Sequence, residues 1–154
     1  MKAKKIAHKV AGGIALMTLL VFLSATLYSE LIGNYALIAK VKSSILSPGL
    51  FILIPCLIVT AGSGFNMAKG SKNKKIKAKA KRMPFIGLNG LLVLVPCALY
   101  LNYLAQSSLF GFEFYLVQSV EVVAGLVNIS LISLNIRDGL RLSKRPTQKE
   151  QPAI

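Results

Sequence analysis

The chain has 154 residues, of which 54% are hydrophobic and only 16% charged, with a formal net charge of +14 and a mean hydropathy of +0.61. A water-soluble domain needs about a quarter of its residues charged, so this composition excludes an ordinary cytosolic enzyme, a disordered chain and a disulfide scaffold. It predicts an all-α, polytopic membrane protein.

The N-terminal tail carries Lys2, Lys4, Lys5, His8 and Lys9 ahead of a first apolar run over residues 10–29. Ala7, Ala11 and Ala15 recur every four residues, with Gly12 and Gly13 beside them, which predicts a close-packing seam. A basic start before an apolar run also describes a secretory signal peptide. The run continues for nearly twenty residues with no small-x-small cleavage site before Glu30, so a retained helix is expected. Residues 33–44 read as a short surface helix with Lys40 and Lys42 on its wet side. A second span covers residues 47–65, opened by Pro48 and closed by the small run Thr60-Ala61-Gly62-Ser63-Gly64. A basic connection then leads to a third span over 84–103, with Pro84 at its start, where a missing N–H costs nothing. A fourth span covers 114–136. These elements make one four-span domain over residues 1–142, and residues 143–154, rich in Pro, Gln and Lys, read as a disordered tail. Short connections predict an up-down bundle of four transmembrane helices.

Charge sets the expected orientation. The N-terminal tail, the connection holding Lys69, Lys72, Lys74, Lys75, Lys77, Lys79, Lys81 and Arg82, and the C-terminal Arg137, Arg141, Lys144, Arg145 and Lys149 carry all but two of the 19 basic residues. Lys40 and Lys42 are the exceptions. By the positive-inside rule both termini and the basic connection are cytoplasmic. Lys74, Lys75, Lys77, Lys79, Lys81 and Arg82 are then expected to touch anionic lipid headgroups, each contributing about 1 kcal/mol. Topology accounts for this charge, so a nucleic-acid partner is not expected.

Gly49-Leu-Phe-Ile-Leu-Ile-Pro55-Cys56 and Gly90-Leu-Leu-Val-Leu-Val-Pro96-Cys97 match in type at eight consecutive places. The two spans run in opposite directions, so the echo is no simple tandem repeat. It predicts kinks near both prolines. The cysteines lie in apolar segments without a C-x-x-C pattern, and a single histidine gives little basis for zinc. His8 alone is too little for haem as well, which would need Met67, Met83 or a second chain as partner. No cofactor is expected.

In the fourth span Gln118, Glu121, Gly125 and Asn128 recur at intervals of three and four, and Asn135 rejoins the track beyond Ile132. At 100° per residue these positions share one face. Gly125 on this face, with Ala11, Ala15 and Gly62 elsewhere, predicts close helix packing. Glu121 lies about 12 Å along the axis from Glu113, too deep to reach water easily, so a proton, hydrogen bonds from Gln118 or Asn128, or a hydrated cavity must accommodate it. Glu121, Gln118 and Asn128 are therefore the candidate proton or ligand site. Tyr28, Tyr100, Tyr103 and Tyr115 suit an aromatic belt at the outer boundary.

Nucleotide loops, nucleophile elbows and zinc-protease motifs are all missing from the sequence, so no enzyme is expected. Three stretches, Ala61-Gly-Ser-Gly-Phe65, Lys81-Arg-Met-Pro-Phe-Ile-Gly-Leu-Asn-Gly90 and Leu134-Asn-Ile-Arg-Asp-Gly139, resemble a group of small four-helix inner-membrane proteins of Gram-negative bacteria. The resemblance implies a bacterial inner-membrane address and transfers no site residues. The leading expectation is a non-catalytic membrane component, self-associating or an accessory subunit of a larger complex, that assembles through the fourth-helix stripe. A proton-coupled oligomeric carrier using Glu121, and a haem- or quinone-binding redox subunit, are the alternatives.

Overall fold

The computed structural model describes residues 2–68 and 74–143. Six α-helices run through them: α1 (Lys2–Ile32), α2 (Tyr35–Ser44), α3 (Leu50–Ala68), α4 (Lys74–Asn89), α5 (Val95–Gln106) and α6 (Phe112–Ser143). A kinked junction, Ile45–Gly49, joins α2 to α3, and a single π-helical turn, Gly90–Leu94, joins α4 to α5. Four continuous runs result, Ile6–Ile32, Tyr35–Gly64, Ile76–Gln106 and Phe112–Arg141, each long and apolar enough to cross a membrane. No strand occurs among the described residues. Consecutive runs pack on one another, and α6 closes the ring against α1.

The packing suits lipid rather than water. Val21, Phe51, Leu91, Leu92 and Val123 are exposed on the outside, while Ser29, Lys42, Gln118, Asn128 and Asn135 are buried. Association of helices in lipid has no hydrophobic drive, so small residues and interhelical hydrogen bonds take its place. Tyr28, Tyr35, Tyr100, Tyr103 and Tyr115 are exposed around one end, hereafter the aromatic end. Lys9, Lys77, Lys81, Arg137 and Arg141 are exposed around the other, the basic end.

The helices extend past the limits that apolar length predicts, because polar turns continue them. The basic connection is the clearest case: Lys74 to Arg82 form the first turns of α4, and Pro84 is internal to that helix rather than at its start. Ile76, Ala80 and Met83 share one side of this extension and face inward, while Lys77 and Lys81 face out. Residues 144–154 of the expected tail, Lys69, Lys72 and the side chains of Lys2, Lys4, Lys5, Met67, Lys74, Lys75 and Lys79 lie outside the described residues.

The segment expected as a surface helix folds differently. Gly33, at φ +68°, ends α1, and Asn34 caps α2 by accepting a hydrogen bond from Leu37 N at 3.1 Å. From there α2 turns back into the bundle against α5 and α1 instead of lying at the surface. Ile38 is buried, and Lys42, four residues on and so on the same face, is buried with it. Only Lys40 keeps the wet position expected of both. The break in this run falls at Ser47, whose φ −138° and ψ 120° are extended, followed by a cis Ser47–Pro48 peptide bond. Pro55 lies within the continuous α3. In the next run the π turn Gly90–Leu94 ends two residues before Pro96, so the irregularity expected there is present.

Candidate functional site

The stripe on α6 faces inward. Gln118, Asn128, Ile132 and Asn135 are buried, Glu121 and Gly125 partly so, and Ser119, Ser130 and Ser133 point outward. Asp138, three residues past Asn135, continues the track and is also buried. Helical spacing alone would have found it.

At the middle of the bundle the stripe is held by amides. Asn89 Nδ2 donates to Asn128 Oδ1 and to the Ala124 carbonyl, each at 2.9 Å, and Asn128 Nδ2 donates to the Ile86 carbonyl at 3.3 Å. Toward the basic end Arg82 Nη1 meets Asp138 Oδ2 at 2.7 Å and Asn135 Oδ1 at 3.4 Å. Arg82 is thus engaged inside the bundle, not spread toward headgroups as expected. Arg137 approaches Asp138 at 3.7 Å from the other side.

Toward the aromatic end lies a contact that sequence reading missed. Lys42 Nζ donates to Glu121 Oε2 at 2.5 Å, with the lysine side chain fully buried and that of the glutamate 13% exposed. Glu121 thus has a buried basic partner in the residue expected on the wet side of a surface helix. The available signal was Lys42 itself, one of two lysines outside the basic segments and at helical spacing from an apolar neighbour. Gln118 and Asn128 do not bond Glu121: Asn128 bonds α4, and both polar side-chain atoms of Gln118 are buried without a hydrogen-bond partner. Glu30, near the end of α1, has its Oε1 buried without a hydrogen-bond partner. A void of about 50 Å³, with Glu121, Gly125, Ile45 and Leu94 among its walls, adjoins the pair.

The small residues serve two purposes. Ala11 and Ala15 are buried, and a Cβ on Gly12 would meet the Thr60 methyl at 3.6 Å, so the α1–α3 seam is close. A Cβ on Gly62 or Gly125 would meet nothing within 4 Å, and these two glycines mediate no tight contact within the chain. At the basic end Gly12, Gly13, Ala15, Ala61 and Gly64 help bound a cavity of about 680 Å³ between α1, α3, α4 and α6. Its deep wall includes Ala15, Leu57, Ile86 and Ile132, and its outer part includes His8, Lys9, Ile76 and Leu140. From Ile132 to Leu140 the helix advances about 12 Å. Gly13 and Gly87 line it and have open space beside them. His8 Nδ1 donates to the Thr60 carbonyl at 3.0 Å and lies 3.0 Å from Ser63 Oγ, which fixes the ring at the cavity wall. Met83 packs directly against Gly64 beside His8.

Neither protein-family models, curated proteins nor solved structures match this chain. Among the described residues no group of three or more His, Cys, Asp or Glu side chains is placed to hold a metal ion, and Cys56 and Cys97 are free thiols.

Proposed function

We propose that the chain is a non-catalytic, multi-pass protein of a bacterial inner membrane, with both ends in the cytoplasm, and that its cavity holds the hydrocarbon chain of an anionic amphiphile. The observation that carries this reading is the 680 Å³ cavity at the basic end. Its volume is that of a ligand pocket, its walls are apolar, and a few polar groups gather at one end, the usual pattern of a small-molecule site. Lys9 lines it, and Lys77, Lys81, Arg137 and Arg141 are exposed on the turns around it, so a negative headgroup is favoured over a neutral one. The positive-inside bias supports the orientation. Assembly with a second subunit through the α6 stripe is no longer favoured, since the stripe faces inward, where Asn128, Asn135 and Asp138 bond α4 and Glu121 bonds α2.

The test is identification and quantitation of lipid retained after extraction in mild detergent, by native mass spectrometry. Gly13→Leu and Gly87→Leu should each displace at least two buried methylenes, worth about 0.8 kcal/mol apiece, and so weaken retention about tenfold. Gly62→Leu, which faces open space outside the cavity, should retain wild-type amounts. Equal retention in all three variants, or a preference for zwitterionic over anionic lipid, would contradict the proposal.

A further inference from the structure

Asn128 and Asn135 lie seven residues apart on one face of α6, yet their amides are used differently. Asn128 is complete: its oxygen accepts from Asn89 and its amino group donates to the Ile86 carbonyl. Asn135 is half used. Its Oδ1 faces Arg82 Nη1 at 3.4 Å, and because a guanidinium only donates, the amide oxygen must be the atom turned that way. Nδ2 is left without a partner among the described residues, on a side chain that is only 6% exposed and lines the 680 Å³ cavity. A buried donor in that state calls for a partner, and the cavity is where one can enter. The neighbouring groups are spent. Thr60 Oγ1 donates to the Cys56 carbonyl, His8 Nδ1 donates to the Thr60 carbonyl, and Asp138 Oδ2 holds the Arg82 guanidinium at 2.7 Å. What α6 presents to the cavity at this level is therefore a neutral amide donor.

Depth decides what kind of acceptor suits it. Along α6, Asn135 lies one turn, about 6 Å, inside Gly139 at the outer part of the cavity, and about 4.5 Å outside Ile132 on the deep wall. From the mouth inward the cavity thus offers the Lys9 cation, then one amide donor, then the hydrocarbon of Ala15, Leu57, Ile86 and Ile132. An acylated amphiphile has the same order: an anionic head, an acyl carbonyl beneath it, and an alkyl chain. We propose that Asn135 is a specificity-determining residue of this cavity, its Nδ2 donating to the acyl carbonyl oxygen of the bound amphiphile. Arg82, locked by Asp138, is the positioning residue that fixes the amide with its amino group free for the ligand. An anionic oxygen is a poorer fit at this depth, because Asp138 shares the same Arg82 Nη1 and its carboxylate would face the second negative charge. The assignment rests on the amphiphile reading of the cavity and narrows it: an ester-linked chain satisfies the donor, whereas an ether-linked chain with the same headgroup leaves it unpaired.

Competition between two forms of one lipid tests this. The full chain in mild detergent is offered equal amounts of phosphatidylglycerol in its diester and diether forms, matched in chain length, and the retained lipid is counted by native mass spectrometry. Wild type should hold the ester form about fivefold over the ether form, the worth of one hydrogen bond. Asn135→Leu removes the donor, and Asn135→Asp keeps the shape and the contact with Arg82 while offering only acceptors, so each should bring the ratio to about one. Asn128→Leu, whose amide is engaged by α4 and does not line the cavity, should keep the wild-type ratio. Either Asn135 variant suffices should the other fail to fold, since the readout is a ratio within one sample. Equal retention of the two forms by wild type, or an ester preference that survives in the Asn135 variants, overturns the proposal while leaving the amphiphile reading intact. Retention of neither form by wild type overturns both.

Discussion

Lys42 and Glu121 show how far a single side chain can depart from what its neighbours in sequence suggest. Burying two charges is costly, and a buried pair is worth little over an apolar replacement, but losing one partner leaves the other stranded. Lys42→Met should therefore lower stability by about 3 kcal/mol. Glu121→Gln should cost less, about 1 kcal/mol, because the amide keeps an oxygen that accepts from the Lys42 ammonium and only the charge assistance of that bond is lost. Chemical unfolding in detergent micelles measures both, and a larger loss in Glu121→Gln than in Lys42→Met would contradict this ranking. The amide pair is a smaller matter. A double-mutant cycle of Asn89→Ala and Asn128→Leu should return a coupling of about 0.6 kcal/mol, the level typical of hydrogen bonds between membrane helices, and zero coupling would mean that the contact at 2.9 Å contributes nothing. The stripe that includes Asn128, Glu121 and Gln118 was legible from its period. The partners of those residues were not, since spacing along one helix says nothing about which residue of a distant helix lies opposite.

Element boundaries followed a different logic. Apolar length located the four runs long enough to cross a bilayer, because a bilayer demands that length and little else in the chain supplies it. It underestimated α4, whose first turns read as a loop only because lysines alternate with Ile76, Ala78 and Ala80; charge obscured a helix that has an apolar side. It also placed α2 at the surface, although Ile38 and Lys42 share a face and that face goes inward. Proline was an imperfect guide. Pro96 follows a π turn, as the kink rule anticipates, whereas Pro55 sits in an unbroken helix and the bend falls at Ser47 and Pro48. Beside that bend Gly49 is buried, and a Cβ there would lie 2.5 Å from Phe22 Cζ and 3.0 Å from the Ser44 carbonyl oxygen. Gly49→Ala should accordingly destabilise the α1–α3 contact by about 1–3 kcal/mol through overpacking, read as a lower midpoint of thermal unfolding. An unchanged midpoint would show that the Phe22 ring yields freely.

For the molecule as a whole, polarity divides along the bundle axis: tyrosines and the buried Lys42–Glu121 ion pair toward one end, arginines, lysines and an apolar cavity toward the other. The basic half was foreshadowed by composition, but the cavity was not, since glycines and alanines that predict tight seams can equally leave space where neighbouring helices splay. The proposed function depends on which water each end meets, and cysteine accessibility in intact cells measures that directly. In a chain with Cys56→Ala and Cys97→Ala, Lys40→Cys should react with a membrane-impermeant thiol reagent added outside. Lys77→Cys should react only after the cells are permeabilised. External labelling of Lys77→Cys in sealed cells, with Lys40→Cys protected, would contradict the account.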